Sequence, residues 1–411
     1  MKSLHGALPV ILSLSALFAM APVNAQEHWV STWTASPQPI WGHELPLPTR
    51  IPETLTDSTV HQQLRISSAG DRVRVVISNE YGQQPLVIGA ARLKRVEEGN
   101  AGQPLTFNGQ TQLRIAPGEK RTSDPIDLHV PALAELLVSL YLPQRTPLTT
   151  FHWDGKQTAF ISPGNQTQTQ TQTKHLAGTS EVEARLFLSE VLVDAAPETR
   201  GVVVLGDSIT DGRGSTLNGN RRWTDFLAQR LSTQPVAVLN AGISGARLLE
   251  DGMGVSAAKR FERDVLRQPG VSSVVLMLGI NDISWPGSTF APNTPIPTLE
   301  TLIAGYQRLI DQARQHKVRI IGTTLMPFEN ALQGAPIVHY YSAEKDQLRQ
   351  ALNQWIRSSG AFEAVIDFDR IMRDPQHPTR FLPIYDSGDH LHPGDVGNQV
   401  MAEAVDLDAL F

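Results

Sequence analysis

GVVVLGDSITDGRGS, residues 201–215, is the stretch around which the rest of the chain is read. Four apolar residues in succession, Val202, Val203, Val204 and Leu205, make the pattern of a strand buried on both faces. The polar turn behind them lifts Ser208 off the strand's end, where open α/β sheets hold their chemistry. Downstream the theme repeats, with candidate strands at 236–239, 274–278, 318–323 and 365–368. Between them Trp223, Phe226, Leu227 and Leu231 share one helical face, as do Leu299, Leu302, Ile303, Tyr306, Leu309, Ile310 and Ala313. Strand alternating with helix predicts a parallel sheet covered on both sides, an α/β class domain of three layers, α/β/α, over residues 196–411.

Upstream of residues 197–200 the period is two rather than 3.6. Leu64 and Ile66, then a turn at Ala69, Gly70 and Asp71, then Val73, Val75 and Ile77 predict a β-hairpin. Similar short runs at 86–88, 113–115, 126–130, 136–142 and 186–193 predict an all-β sandwich over residues 27–195. The run NQTQTQTQTK, residues 165–174, alternates regularly but is polar on both faces, and reads as a surface excursion without a catalytic role.

Residues 1–25 have a basic start at Lys2, an apolar body from 8 to 20 and a small-x-small ending, Val23, Asn24, Ala25. This is a signal peptide pattern and predicts an exported protein, periplasmic or secreted, with Gln26 as its first mature residue. The apolar run is too short to span a bilayer, so no transmembrane anchor is expected. The chain has no cysteine, which excludes disulfides and thiol catalysis. Its 35 basic and 41 acidic side chains are interspersed, for a net charge of −6, and no basic run is present to neutralise a phosphate backbone. Nucleic acid is therefore not an expected partner.

A serine becomes a nucleophile only when a neighbouring base takes its proton, so Ser208 calls for a histidine and for a carboxylate to orient it. DSGDHLHP, residues 386–393, supplies both: Asp389 and His392 are three positions apart, within reach on one turn. Acyl transfer also needs donors aimed at the oxyanion, each typically worth ~2.7–4 kcal/mol of barrier. Gly242, after the second strand, allows close approach of its N–H, and Asn281, after the third, offers a side-chain amide.

As an ordered set these residues resemble the SGNH, or GDSL-like, serine hydrolases. Gly206, Asp207 and Ser208 match that family's first block, read here as GDSI; Gly242 matches the second, Asn281 the third, and Asp389 with His392 the last. The resemblance covers the chain from about residue 201 to its end. It implies a carboxylic ester hydrolase with an acyl-serine intermediate on Ser208, an oxyanion hole of the Ser208 and Gly242 N–H groups and the Asn281 amide, and no cofactor or metal. GDSITDGRGSTLNGNRRW, GISGARLLEDG, GIND and the β-rich first half are similar to exported arylesterases and acylhydrolases, some tied to plant cell-wall breakdown. The expected partner is then a small-molecule or carbohydrate ester.

Other readings stand beside this one. An ordinary α/β-hydrolase elbow needs Gly-x-Ser-x-Gly, and Thr210 occupies the last position. His390, Asp386 and Asp282 are substitutes for triad positions that miss the blocks. A metal site of Asp386, Asp389, His390 and His392 would leave Ser208 and Asn281 without purpose. Arg213, Arg221, Arg222 and Arg247 suit structural ion pairs or the rim of a site, and a carbohydrate-binding protein with an inert hydrolase domain is the alternative from another class.

Overall fold

The computed structural model describes residues 27–169, 175 and 177–411. The leader expected at 1–25, its cleavage site, and residues 170–174 of the Gln/Thr repeat lie outside them.

Five parallel strands form the sheet of the second half, in the order Val236–Gly242, Arg200–Gly206, Val271–Met277, Arg319–Thr323 and Ala364–Ile366. The strand Arg200–Gly206 lies between two neighbours and is buried from Gly201 onward, which is why its sequence is a run of valines and not an alternation. Its successive side chains feed two different cores. Val203 and Leu205 enter the cluster that also holds Leu302, Tyr306, Leu309 and Ile310 of the helix Leu299–Gln315. Val202 and Val204 enter the opposite one with Trp223, Leu227 and Leu231 of the helix Trp223–Leu231 and Met401 of the helix Asp395–Glu403. The two helical faces expected from the periodicity are thus the two faces that cover the sheet. Each fully buried aliphatic side chain contributes ~1.5–3 kcal/mol relative to exposure.

The first half is strand-rich and antiparallel. One sheet joins Trp29–Thr34, Leu188–Asp194 and Gly70–Ser78, with Lys120–Thr122 and Ile126–Val130 both on the last of these. A second large sheet runs Ser180–Val182, Ala159–Pro163, Ser58–Arg65, Glu135–Leu142, Ala90–Arg95, Gln103–Pro104, and smaller two- and three-stranded sheets flank the pair. Val73, Val75 and Val191 of the first and Val60, Val138 and Ile161 of the second fall in one buried cluster, the arrangement of a sandwich.

The expected hairpin does not form. Ser58–Arg65 pairs with Glu135–Leu142 and Ala159–Pro163, whereas Gly70–Ser78 pairs with strands of the other sheet. Between them the backbone is claimed by other segments: Ile66 N–H donates to Ala134 O at 3.0 Å and Ser67 N–H to Thr32 O at 3.0 Å. The turn is a corner by which the chain crosses from sheet to sheet.

Candidate active site

Ser208 opens the short helix Ser208–Asp211 directly off the strand Arg200–Gly206. Asp207 caps it, its Oδ1 accepting from Ile209 N–H at 3.0 Å, and Gly212 closes it at φ 107. Burial pushes the Asp207 carboxyl up to about 7, and the Ile209 N–H and nearby His392 only partly offset this. Gly206 is required here because a Cβ would lie 2.1 Å from Thr210 Oγ1. The buried Arg260 guanidinium ties together two strand ends beside the turn, donating to Gly206 O at 2.9 Å and Ala241 O at 2.7 Å and pairing with Asp264.

Ser208 Oγ lies 2.8 Å from His392 Nε2, and His392 Nδ1 lies 2.7 Å from Asp389 Oδ2. The other carboxylate oxygen accepts from the Leu391 and His392 N–H groups at 3.0 and 2.9 Å, so three hydrogen bonds fix the pair's orientation. Burial works against the Asp389 charge, yet His392 and these donors hold its carboxyl well below the usual carboxylate range. With Nδ1–H donated to a carboxylate, Nε2 is the acceptor that faces the hydroxyl.

Asn281 lies on the helix Ile280–Ser284, behind Gly279 at φ 118. Its amide is held from both ends: Nδ2 donates to Ala246 O at 3.0 Å and Oδ1 accepts from Tyr340 Oη at 2.7 Å. One Nδ2 hydrogen remains for another acceptor. Burial pushes the Tyr340 hydroxyl far above its ordinary value and keeps it a donor.

Gly242 differs from its expected role. Its N–H donates to Asn240 Oδ1 at 2.9 Å, and Asn240 is itself anchored through Nδ2 to Thr210 O and Thr224 Oγ1. The glycine serves packing instead, since a Cβ would sit 2.3 Å from Asp211 N. Three residues on, Gly245 adopts φ 77 beside Ala246, the residue that holds the Asn281 amide, and among the described residues nothing accepts from its N–H. Sequence reasoning passed over Gly245 and Tyr340. The second glycine of NAGISG was a signal in plain view, whereas Tyr340 lies 59 positions from Asn281 and carried none.

The competing residues are engaged elsewhere. His390 Nδ1 pairs with Asp386 Oδ2 at 2.5 Å and is half-exposed, while Asp282 accepts from Leu248 and Leu249 N–H groups. Among the described residues no group of three or more His, Cys, Asp or Glu side chains is placed to hold a metal ion. Arg221 approaches Asp395 at 3.5 Å, Arg222 approaches Asp225 at 3.9 Å, and Arg247 lies over the Trp285 ring. Arg213, whose N–H donates to Ser208 O, lies 3.6 Å from Asp154. That pair lines a cleft of about 290 Å³ with Thr49, Arg50, Thr158 and Glu183 of the first half.

Residues 202–405 match the model of the family described as GDSL-like lipase/acylhydrolase. Among solved structures, a GDSL-like lipase from Bacteroides thetaiotaomicron is 19% identical, with 51% of this chain and 87% of that one covered and a TM-score of 0.39. The aryl esterase of M. smegmatis is 17% identical over 50% of this chain and 96% of its own, again with a TM-score of 0.39. No curated protein matches the chain. Through residues 202–405 the chain belongs to the GDSL-like lipase/acylhydrolase family and is a carboxylic ester hydrolase.

Proposed function

We propose that the protein is an exported serine esterase that works through an acyl-serine intermediate and removes O-acyl groups from carbohydrates. The observation that carries the catalytic part is the hydrogen-bonded series Ser208, His392, Asp389, with contacts of 2.8 and 2.7 Å. His392 takes the Ser208 proton as Oγ attacks the ester carbonyl, then gives it to the departing alcohol. It next activates a water that releases the acid, while Asp389 fixes the imidazole throughout. The oxyanion is met by the Ser208 N–H, the Asn281 amide and the Gly245 N–H, which replaces Gly242 because the latter's hydrogen is already given to Asn240. No metal or organic cofactor enters any step.

The carbohydrate assignment draws on the cleft that Arg213, just past the turn, shares with the first half. There the polar Arg50, Asp154, Thr158 and Glu183 stand beside the Trp153 ring, a mix of hydrogen-bonding groups and an aromatic face that suits a sugar alcohol. Export rests on the pattern of residues 1–25.

Ser208→Ala tests the mechanism: turnover of a short aryl ester is expected to vanish with thermal unfolding unchanged, and retained turnover overturns the nucleophile. Acetate release from acetylated xylan set against hydrolysis of aryl acetates tests the substrate. A preference for aryl or lipid esters transfers the assignment to a small-ester hydrolase, and carbohydrate binding without turnover transfers it to an inert binding protein.

A further inference from the structure

The strand-rich half contributes a residue to the catalytic turn's support that neither the family match nor the mechanism above uses. His152 ends the strand Thr150–His152, which pairs with Gln38–Pro39 and Arg185–Leu186. Its imidazole crosses to the second half. Nε2 lies 2.9 Å from Asp211 Oδ1, and Nδ1 lies 3.1 Å from Ser36 O. Both side chains are buried, at 7% and 3% exposure.

Asp211 is the last residue of the helix that Ser208 opens. Its second oxygen accepts from Ser244 N–H at 2.8 Å and from Ser244 Oγ at 2.9 Å. One carboxylate therefore joins the nucleophile's helix, the residue just before Gly245, and the first half of the chain. Both ring nitrogens thus face acceptor oxygens, and although burial alone would push the His152 imidazole down, Asp211, with Asp154 farther off, carries it above its ordinary value. The groups facing it are Asp211, Asp154 and the Ser36 carbonyl, with Arg213 set against Asp154.

Other ties run the same way. Thr34 Oγ1 donates to Asn240 O at 2.8 Å, and Gln38 Nε2 donates to Met253 O at 2.6 Å. A Cβ on Gly245 would touch Met253 Sδ at 2.7 Å, so the oxyanion loop rests on a residue that the first half also grips.

We propose that His152 is a positioning residue for the esterase reaction: through Asp211 it locks the Ser244–Gly245 loop against the helix of Ser208 and so sets the geometry of the oxyanion hole. The strand-rich half is then part of the catalytic scaffold, not only a module beside it. This rests on the acyl-serine reading above, in which Gly245 donates to the oxyanion. A loose donor costs the transition state more than the bound ester, because the charge it meets exists only there.

The test uses the full-length mature enzyme with an aryl acetate as substrate and phenylboronic acid as a tetrahedral mimic. His152→Ala is expected to lower kcat about tenfold or more with KM within about twofold, and to raise the boronate inhibition constant in parallel. His152→Gln, whose amide can donate where Nε2–H did, is expected to keep more of the kcat than His152→Ala. A folded His152→Ala enzyme with kcat and boronate affinity unchanged overturns the proposal. If His152→Ala does not fold, Ser244→Ala, which deletes a single bond to Asp211, takes its place: a lower kcat with weaker boronate binding supports the proposal, and unchanged values overturn it. Ser208→Ala keeps the two levels apart, since its loss of turnover upholds the acyl-serine reading even where the His152 variants fail.

Discussion

Tyr340→Phe removes one hydroxyl and leaves the ring in its place against Phe290 and Phe328. What it takes away is the 2.7 Å bond that holds Asn281 Oδ1. The amide is then fixed only by Nδ2 and Ala246 O, and a rotation that carries Oδ1 toward the substrate would oppose the oxyanion instead of stabilising it. Losing an ordinary hydrogen bond of about 1 kcal/mol gives about a fivefold fall in kcat. The ceiling is loss of the whole donor, ~2.7–4 kcal/mol or about 10²–10³-fold, which is the expectation for Asn281→Ala. Steady-state kcat and KM on an aryl acetate, with a double-mutant cycle, measure the effect. Added to Asn281→Ala, the Tyr340 change should cost almost nothing further, because its only catalytic outlet is already gone. A Tyr340→Phe enzyme with wild-type kcat, or two losses that simply multiply, refutes the reasoning.

Three further outcomes follow from the site. Asp389→Asn is expected to cut kcat by about 10³–10⁴-fold through the wrong histidine tautomer, whereas Asp386→Asn, which only loosens His390, should leave kcat nearly intact; equal losses would reverse the assignment. Asp207 binds its proton more tightly when folded, up to about 7 against an ordinary 3.8, so its contribution to stability is full below pH ~4 and is lost as pH rises toward 7. Asp207→Asn should flatten that decline and raise stability at pH 8 by up to about 4 kcal/mol in urea unfolding; an unchanged pH profile argues against the buried neutral acid. Gly242→Ala, which drives a Cβ into Asp211 N, should cost about 1–3 kcal/mol of stability, and an unaffected unfolding midpoint would contradict the close packing.

The catalytic half was largely legible because its signals are local and repeated. The valine run from 202 to 204, the helical face from Leu302 to Ala313 and the short spacing of Asp389 and His392 each encode their own neighbours. The first half was legible as strand-rich, but its pairing was not. The residues around Gly70 can close a hairpin or turn a corner, and the choice is made by Ala134 and Thr32, which lie far away in sequence. The site shows the same limit. NAGISG offers two glycines, and only the backbone reveals that Asn240 has claimed the N–H of the first. Tyr340 and His152 act across long separations, and a single tyrosine or histidine carries no pattern.

The buried cluster that fills the sandwich does not stop at its edge: Val73 and Val138 belong to the same cluster as Val203, Leu239 and Ala241 beneath the parallel sheet. Cutting the polypeptide near residue 196 would bare greasy surface on each fragment and sever the grip of Thr34 on Asn240. Heat or urea should accordingly melt both parts in one cooperative step, and anyone seeking a minimal hydrolase by truncation should expect aggregates where a smaller enzyme was wanted.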